Sequence, residues 1–398
     1  MKRQAGFSLI EMLIALVVLL AAVTATLAAL TDAIHASQEV ALMADTQQNL
    51  RVGMNYITRD LVEAGEGIPQ GGITIPNNGL SAVGAPPAGN SNINRPGLSL
   101  TGADVIKFPT TYVTVPAITP GYQLGEPEQM PSPGNPYATI TSPTNTDMIT
   151  LLYADTTLVD NTTYPGTPHT LNEFPIFLAL QKNSTGTGCA PANPGPAPNG
   201  SIAVAGTSLT VTFDATCINI NQGNTGIHVG DLMMFQSTSS ATTLMYVSSV
   251  NGQVVKFLPG DPFNLNGTGL GSGTITQLNP AAAVITASRI WMITYYLDTT
   301  TNTSHPVLMR QVNFNAPQEV GEVLEDMAFS FDLTESGVPA VSTVSNILYP
   351  DTVAQIRKVN VFLAARSENP LITNKTFYHN NLTTSVNIRS LCFFNQFN

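Results

Sequence analysis

The stretch Lys2-Arg3-Gln4-Ala5-Gly6-Phe7-Ser8-Leu9-Ile10-Glu11-Met12-Leu13, whose apolar character continues to Leu30, decides the architecture. Between Arg3 and Asp32 its one charge is Glu11. The run from Phe7 to Leu30 exceeds the ~20 apolar residues that cross a bilayer as a helix. It holds no proline, and Leu, Ala, Ile and Met dominate it, which predicts one uninterrupted helix with its backbone satisfied internally. A carboxylate costs about 2.5–3.5 kcal/mol at a bilayer centre and less near the interface, so Glu11 is expected to have a partner. Its place in the first turns also lets the helix dipole favour a negative charge.

Three kinds of segment combine a basic leader with an apolar run. A secretory signal peptide has a core of about 7–15 residues with its small-residue cleavage site after it. Here the core is longer and the small pair, Ala5-Gly6, precedes it. A plain signal anchor accounts for the length and for Lys2 and Arg3 on the cytoplasmic side. It does not account for Gly6 or for a glutamate five residues after it. The third kind fits throughout: Gly6-Phe7-Ser8-Leu9-Ile10-Glu11-Met12-Leu13-Ile14-Ala15-Leu16 closely resembles the processing site of type IV prepilins. That resemblance implies that a prepilin peptidase/methyltransferase cuts between Gly6 and Phe7 and N-methylates Phe7. It also implies that Glu11 helps dock the subunit into a growing filament. The chemistry agrees, because a buried carboxylate needs an opposite charge and a neighbouring subunit's terminal amine supplies one. The alternative for Glu11 is an interfacial carboxylate solvated by headgroups.

The chain has 398 residues, enough for one large or two ordinary domains beyond an anchor. Only 10% of them are charged, while Asn, Thr, Ser, Gly and Pro abound, as in a β-rich extracytoplasmic protein. The net charge of −11, with no basic run, argues against nucleic-acid binding. Of the three cysteines, Cys189 and Cys217 flank a Pro/Gly-rich loop and a strand-like segment, so a disulfide between them fits an oxidising compartment. Closing that loop of ~28 residues contributes roughly 3–4 kcal/mol in the chain-entropy model. Unpaired cysteines are the alternative, and Cys392 remains open as a partner for either.

The helical pattern continues past the membrane surface. Small or apolar residues at 3–4 spacing run through Ala33, Ser37, Val40, Ala44, Leu50, Met54, Ile57, Leu61 and Ala64, with Gln47 interrupting and Gly53 off the stripe. Gly65, Gly67 and Pro69 supply a stop. A helix from Phe7 to about Ala64 is on the order of 85 Å long, and its outer half is expected to pack on the domain after it. The expected organisation is a leader at 1–6, a helix at 7–66 with a transmembrane segment at 7–30, and a β-rich head at 67–398. Residues 67–200 form its loop-rich part.

Strand signals recur in the head. Leu209, Val211 and Phe213 alternate with Thr210 and Thr212. Leu244–Val247 and Val254–Phe257 flank the hairpin signal Asn251-Gly252. Residues 290–297 and 307–312 flank a polar turn and predict another hairpin; 327–333, 359–365 and 385–389 complete the series. No βαβ rhythm appears, so the fold class is α+β with a mainly antiparallel sheet.

The later segments sharpen the resemblance. Arg59-Asp60-Leu61-Val62-Glu63-Ala64-Gly65, Val229-Gly230-Asp231-Leu232-Met233, Leu308-Met309-Arg310-Gln311 and Val359-Asn360-Val361-Phe362-Leu363 come in an order similar to the PilW-like minor pilins. More distantly, they resemble the J-type pseudopilins of type II secretion. What this implies is a structural subunit of a priming or tip complex that initiates type IV pilus assembly. Its partners are then other minor pilins, the major pilin and the inner-membrane assembly platform. It sits in the inner membrane by a single pass with its head in the periplasm, and later in the pilus at the cell surface. A pseudopilin of type II secretion is the alternative. So is a pilus-associated adhesin whose long loops engage surfaces, glycans or DNA.

No motif of catalysis emerges and no cofactor is expected. The histidines His35, His169, His228, His305 and His379 are scattered, without zinc-ligand spacing. His228 is expected at a strand edge. Glu322, Glu325 and Asp326 are expected in a solvated turn, and Trp291, Tyr295 and Tyr296 in a core more than in a sugar-binding surface. Asp261, Asn264 and Asn266 give a faint calcium-loop pattern that lacks the spacing and terminal glutamate of an EF-hand.

Overall fold

The computed structural model describes residues 8–69, 71–75, 93–99, 105–109, 112–127, 145–155, 178–182, 200–205, 208–213, 220–221, 226–237, 242–266, 285–301, 304–334, 341–347, 352–373, 375–388 and 390. One helix, Leu9–Glu63, precedes a β-rich region built of antiparallel sheets, the expected α+β, pilin-like layout.

The helix begins at Ser8, an extended N-cap whose hydroxyl accepts the Ile10 N–H at 3.4 Å. Glu11 completes a capping box by accepting the Ser8 N–H at 3.0 Å. The hydroxyls of Thr24 and Thr31 bond back to the carbonyls of Leu20 and Leu27, so these polar groups sit satisfied within the apolar run. The helix stops where Gly65 turns the chain at φ +82°, a conformation that favours glycine.

Two sheets receive the outer half of the helix. In the smaller, Val341–Val344, Leu324–Thr334, Ile356–Arg366 and His379–Asn387 lie side by side in that order, all antiparallel. The larger has twelve strands organised on Ile285–Asp298, which pairs with Leu232–Ser237, Met148–Ala154, Leu178–Lys182 and Val307–Val312. Among the described residues the one parallel pairing joins Leu178–Lys182 to Gly200–Ala205. Leu50, Met54, Ile57 and Leu61 of the helix fill the seam, in one core with Ile149, Leu151 and Leu308 of the larger sheet and Met327, Phe329 and Leu363 of the smaller. A second core, away from the helix, gathers Leu209, Val211, Phe213 and Val255 around the edge-to-face pair Phe235 and Phe257, with centroids 5.3 Å apart.

Several expectations are corrected. Gly53 is not off the packed face. It is buried, and a Cβ there would meet Leu308 Cδ2 at 3.1 Å, so its missing side chain lets the sheets approach. Ala33, Ser37, Val40 and Ala44 are instead exposed; the covered face in that stretch passes through His35, Glu39, Leu42 and Thr46. The Asn251-Gly252 turn forms, with Gly252 at φ +56°, but it joins Ser249–Asn251 to Val254–Phe257. Thr242–Tyr246 pairs with Leu232–Ser237 instead. The 290–297 and 307–312 hairpin is present as Ile285–Asp298 with Val307–Val312.

Candidate functional site on the long helix

Two surfaces of the helix carry the interest, an uncovered apolar cylinder below and a polar clamp above. Gly6 and Phe7 lie outside the described residues, as do Cys189, Cys217 and Cys392. From Ser8 the cylinder is continuous: Leu9, Ile10, Met12, Leu13, Ile14, Leu16, Val17, Val18, Leu19 and Leu20 are all more than half exposed. A stretch of 18 residues has no buried position, and the helix is long and apolar enough to cross a membrane. At about 25 cal/mol per Å², so much exposed apolar surface is tolerable only in lipid or against other apolar helices. Glu11 is the one carboxylate in this cylinder, and in the isolated subunit its acceptor capacity is turned to the Ser8 N–H.

The clamp centres on Asp60, which is fully buried on the packed face. Its Oδ2 accepts the Tyr295 hydroxyl at 2.6 Å and the Arg310 Nε–H at 2.7 Å, while Arg59 reaches Oδ1 at 3.3 Å. Burial, and next the Asp60 charge, hold the Tyr295 hydroxyl far above its ordinary range, so it stays a donor. Burial alone would lower Arg310, but the hydrogen bond and charge of Asp60 outweigh it and keep the guanidinium more strongly protonated than usual. Glu63, one turn on, is raised by burial and then by Asp60. Lower down, the Glu39 carboxylate accepts both the N–H of Thr373, at 2.8 Å, and its hydroxyl, tying the loop after Ile356–Arg366 to the helix. These bonds hold the helix from Glu39 to Ala64 and leave it free below. The sequence does carry a signal for the clamp: Asp60 is a carboxylate between Ile57 and Leu61 on an apolar stripe.

The other residues singled out in the sequence are placed elsewhere. The Asp261 carboxylate accepts three backbone N–H groups, from Phe263 at 3.0 Å, Leu265 at 3.2 Å and Asn266 at 2.7 Å. The Asn266 amide bridges Tyr246 and Leu258, so Asp261 and Asn266 close the loop on its own backbone, while Asn264 is exposed at φ +61° in the turn. Among the described residues no group of three His, Cys, Asp or Glu could hold a metal. The acidic trio is not a solvated turn: Glu325 is buried in a strand, 3.2 Å from Arg366 and 2.8 Å from His379, while Glu322 is exposed. His228 is exposed in a turn, its N–H held by Asp231 at 2.8 Å. Tyr295 and Tyr296 are core residues, and Trp291 is half-buried against Arg289.

Residues 1–27 match the family model for the prokaryotic N-terminal methylation motif. This marks the N-terminus as prepilin-like and supports a type IV pilin-like or pseudopilin protein, with the processing by prepilin peptidase and assembly with pilus components that such a motif implies. No curated protein and no solved structure matches the chain.

Proposed function

We propose that the chain is a minor pilin of a type IV pilus, PilW-like in its β-rich part, that helps prime filament assembly. Residues 1–6 are a leader removed between Gly6 and Phe7, and Phe7 becomes the N-methylated terminus. The helix at 7–66 anchors the subunit through 7–30 in the inner membrane, and the head at 67–398 lies in the periplasm until the subunit enters the pilus. The observation that carries this is the methylation motif on a helix that is uncovered on every side from Leu9 to Leu30. Assembly is packing, not catalysis: the apolar cylinder leaves lipid for the equally apolar interior of a filament. Glu11 exchanges its capping partner for a neighbour's terminal amine, which in a low-dielectric setting is the stronger interaction.

Mass spectrometry of the native protein tests the processing step, with a first peptide beginning at methylated Phe7 as the expected result. Recovery with Met1 retained refutes it. Glu11→Ala is expected to leave the protein in the membrane while pilus number falls, because the anchor survives and the docking charge does not. Normal piliation in that strain refutes the docking role. A deletion strain that loses protein secretion but keeps its pili would move the chain to the pseudopilins.

A further inference from the structure

We infer that the turn carrying Ile372 and Lys375 is a second point of contact with the phospholipid surface, pressing on the headgroup layer beside the transmembrane helix. This rests on the membrane-anchored reading above and adds a part of the head to it.

The levels along the helix locate the turn. Ser390 bonds the Ala64 carbonyl, Leu363 lies against Gly53, and a polar cavity of ≈ 190 Å³ brings Arg366 and Glu368 level with Asp45 and Thr46. Thr373 then bonds Glu39. Followed in that order, the smaller sheet descends the helix toward its apolar end, and the connection between Arg366 and His379 is its lowest described part. The connection is closed on itself by Leu371 N–H to Thr376 O and Lys375 N–H to Leu371 O, both at 2.8–2.9 Å, with Lys375 at φ +56°. These bonds fix residues 371, 375 and 376 relative to one another.

The proposed transmembrane segment, 7–30, sets the level from which lipid is counted. With the hydrocarbon edge at Leu30, a headgroup layer of about 5–7.5 Å reaches roughly to His35 at 1.5 Å per residue. Ascending from Leu9, every helix residue through Ile34 is exposed, and His35 is the first that is partly covered. Glu39, which holds the turn, is one helical turn higher, and side chains on a helix lean toward its N-terminus. The turn thus sits at the outer boundary of the headgroups. There it presents Ile372, 41% exposed, and the exposed ammonium of Lys375. An aliphatic group beside a cation is the pairing that suits an interface of glycerol ester and phosphate. Asp32 is at headgroup level on the helix itself, so attraction by net charge is not the driving term. Insertion of Ile372 is, with Lys375 meeting a lipid phosphate.

The test uses the full chain in nanodiscs made with brominated phosphatidylcholine and phosphatidylglycerol, which quench tryptophan at short range. The parent carries one tryptophan, Trp291, in the larger sheet, and provides the background. Two variants are compared with it: Ile372→Trp, and Leu20→Trp in the middle of the span, both at exposed positions. Both are expected to show added, blue-shifted and quenched emission, and adding Lys375→Glu to Ile372→Trp is expected to weaken the quenching. Quenching at position 20 with none above background at 372 overturns the turn's contact and leaves the anchor standing. No quenching at either position overturns the anchor and the inference with it. Quenching at 372 that Lys375→Glu leaves unchanged overturns the phosphate contact of Lys375.

Discussion

Asp60 shows how one side chain can decide whether the helix and the sheets form a single body. The residue is fully buried, and its oxygens are shared by Tyr295, Arg310 and Arg59. Asp60→Ala leaves the Arg310 charge without its carboxylate in a site where only 13% of its side chain is exposed. The expected loss is about 3–5 kcal/mol, read from chemical denaturation of the full chain in detergent. Replacing both partners, Asp60→Ala with Arg310→Met, is expected to recover much of that loss, because the main penalty is the orphaned charge. A double variant as unstable as the single one would mean that shape, not charge, is what Asp60 supplies. In the sequence Asp60 passes for a surface charge next to Arg59, and its only mark is its place on the apolar stripe. Glu325 is obscured in the same way. Set between Glu322 and Asp326 it looks solvated, yet it is the extra residue of a β-bulge between Leu324 and Asp326 and is buried against Arg366. Glu11 stands out in the sequence as a lone carboxylate in an apolar run, and in the structure it completes the capping box with Ser8. These buried ion pairs join residues far apart in the chain, 250 positions for Asp60 and Arg310, and local pattern does not register them.

Among the elements, the helix and the alternating strands are the easiest to anticipate. Ser208–Phe213 alternates in sequence and in burial, and Gly252 takes the positive φ that its turn demands. Met148–Ala154 escapes such a reading, because every one of its residues is buried and a strand covered on both faces shows no alternation. The pairing of Thr242–Tyr246 is hidden for another reason: proximity to a turn signal does not fix which neighbour a strand takes. Helix and sheet meet where Gly53 and Gly321 allow it: a Cβ on Gly321 would lie 3.7 Å from Gly53 Cα and 2.8 Å from Leu324 Cδ1. Gly53→Leu is therefore expected to destabilise by about 1–3 kcal/mol through overpacking. Gly53→Ala should be close to neutral, since a helix-propensity gain of roughly 0.8–1.0 kcal/mol opposes the tight contact with the movable end of Leu308. Denaturation midpoints of the two variants check this, and a leucine tolerated as well as alanine would contradict the close approach.

At the scale of the whole molecule, charge and burial make two further statements. Burial raises the carboxyl groups of Asp147, Asp231 and Asp261, and Glu63 is raised by burial and then by Asp60. Each of these binds its proton more tightly when folded, so the stability it adds is complete below its unfolded pKa and is lost as pH rises through the folded one. Asp332 opposes them: burial would raise it, but Lys358 at 2.8 Å, with Thr343 and Asn360, holds it below its ordinary value. Its contribution disappears as pH falls through its folded pKa. The denaturation midpoint of the full chain is therefore expected to rise as pH falls from neutrality toward the ordinary carboxylate range at about pH 4, where these contributions are complete, and to fall again below it as Asp332 is protonated; a steady fall from pH 7 downward would contradict it. Burial along the helix divides the chain in a second way. No described residue before His35 is covered, whereas Leu50, Met54, Ile57 and Leu61 are buried. Those four side chains contribute about 6–12 kcal/mol gross at 1.5–3 each, comparable to the whole stability of an ordinary domain. Removing residues 1–30 is thus expected to give a protein soluble without detergent whose unfolding midpoint matches that of the full chain. Removing residues 1–61 strips the seam and the Asp60 clamp together, and calorimetry is expected to show no cooperative transition. A truncation at 61 that still unfolds cooperatively at the parent temperature would mean that the sheets close without the helix, and that the helix is joined to the head by its chain alone.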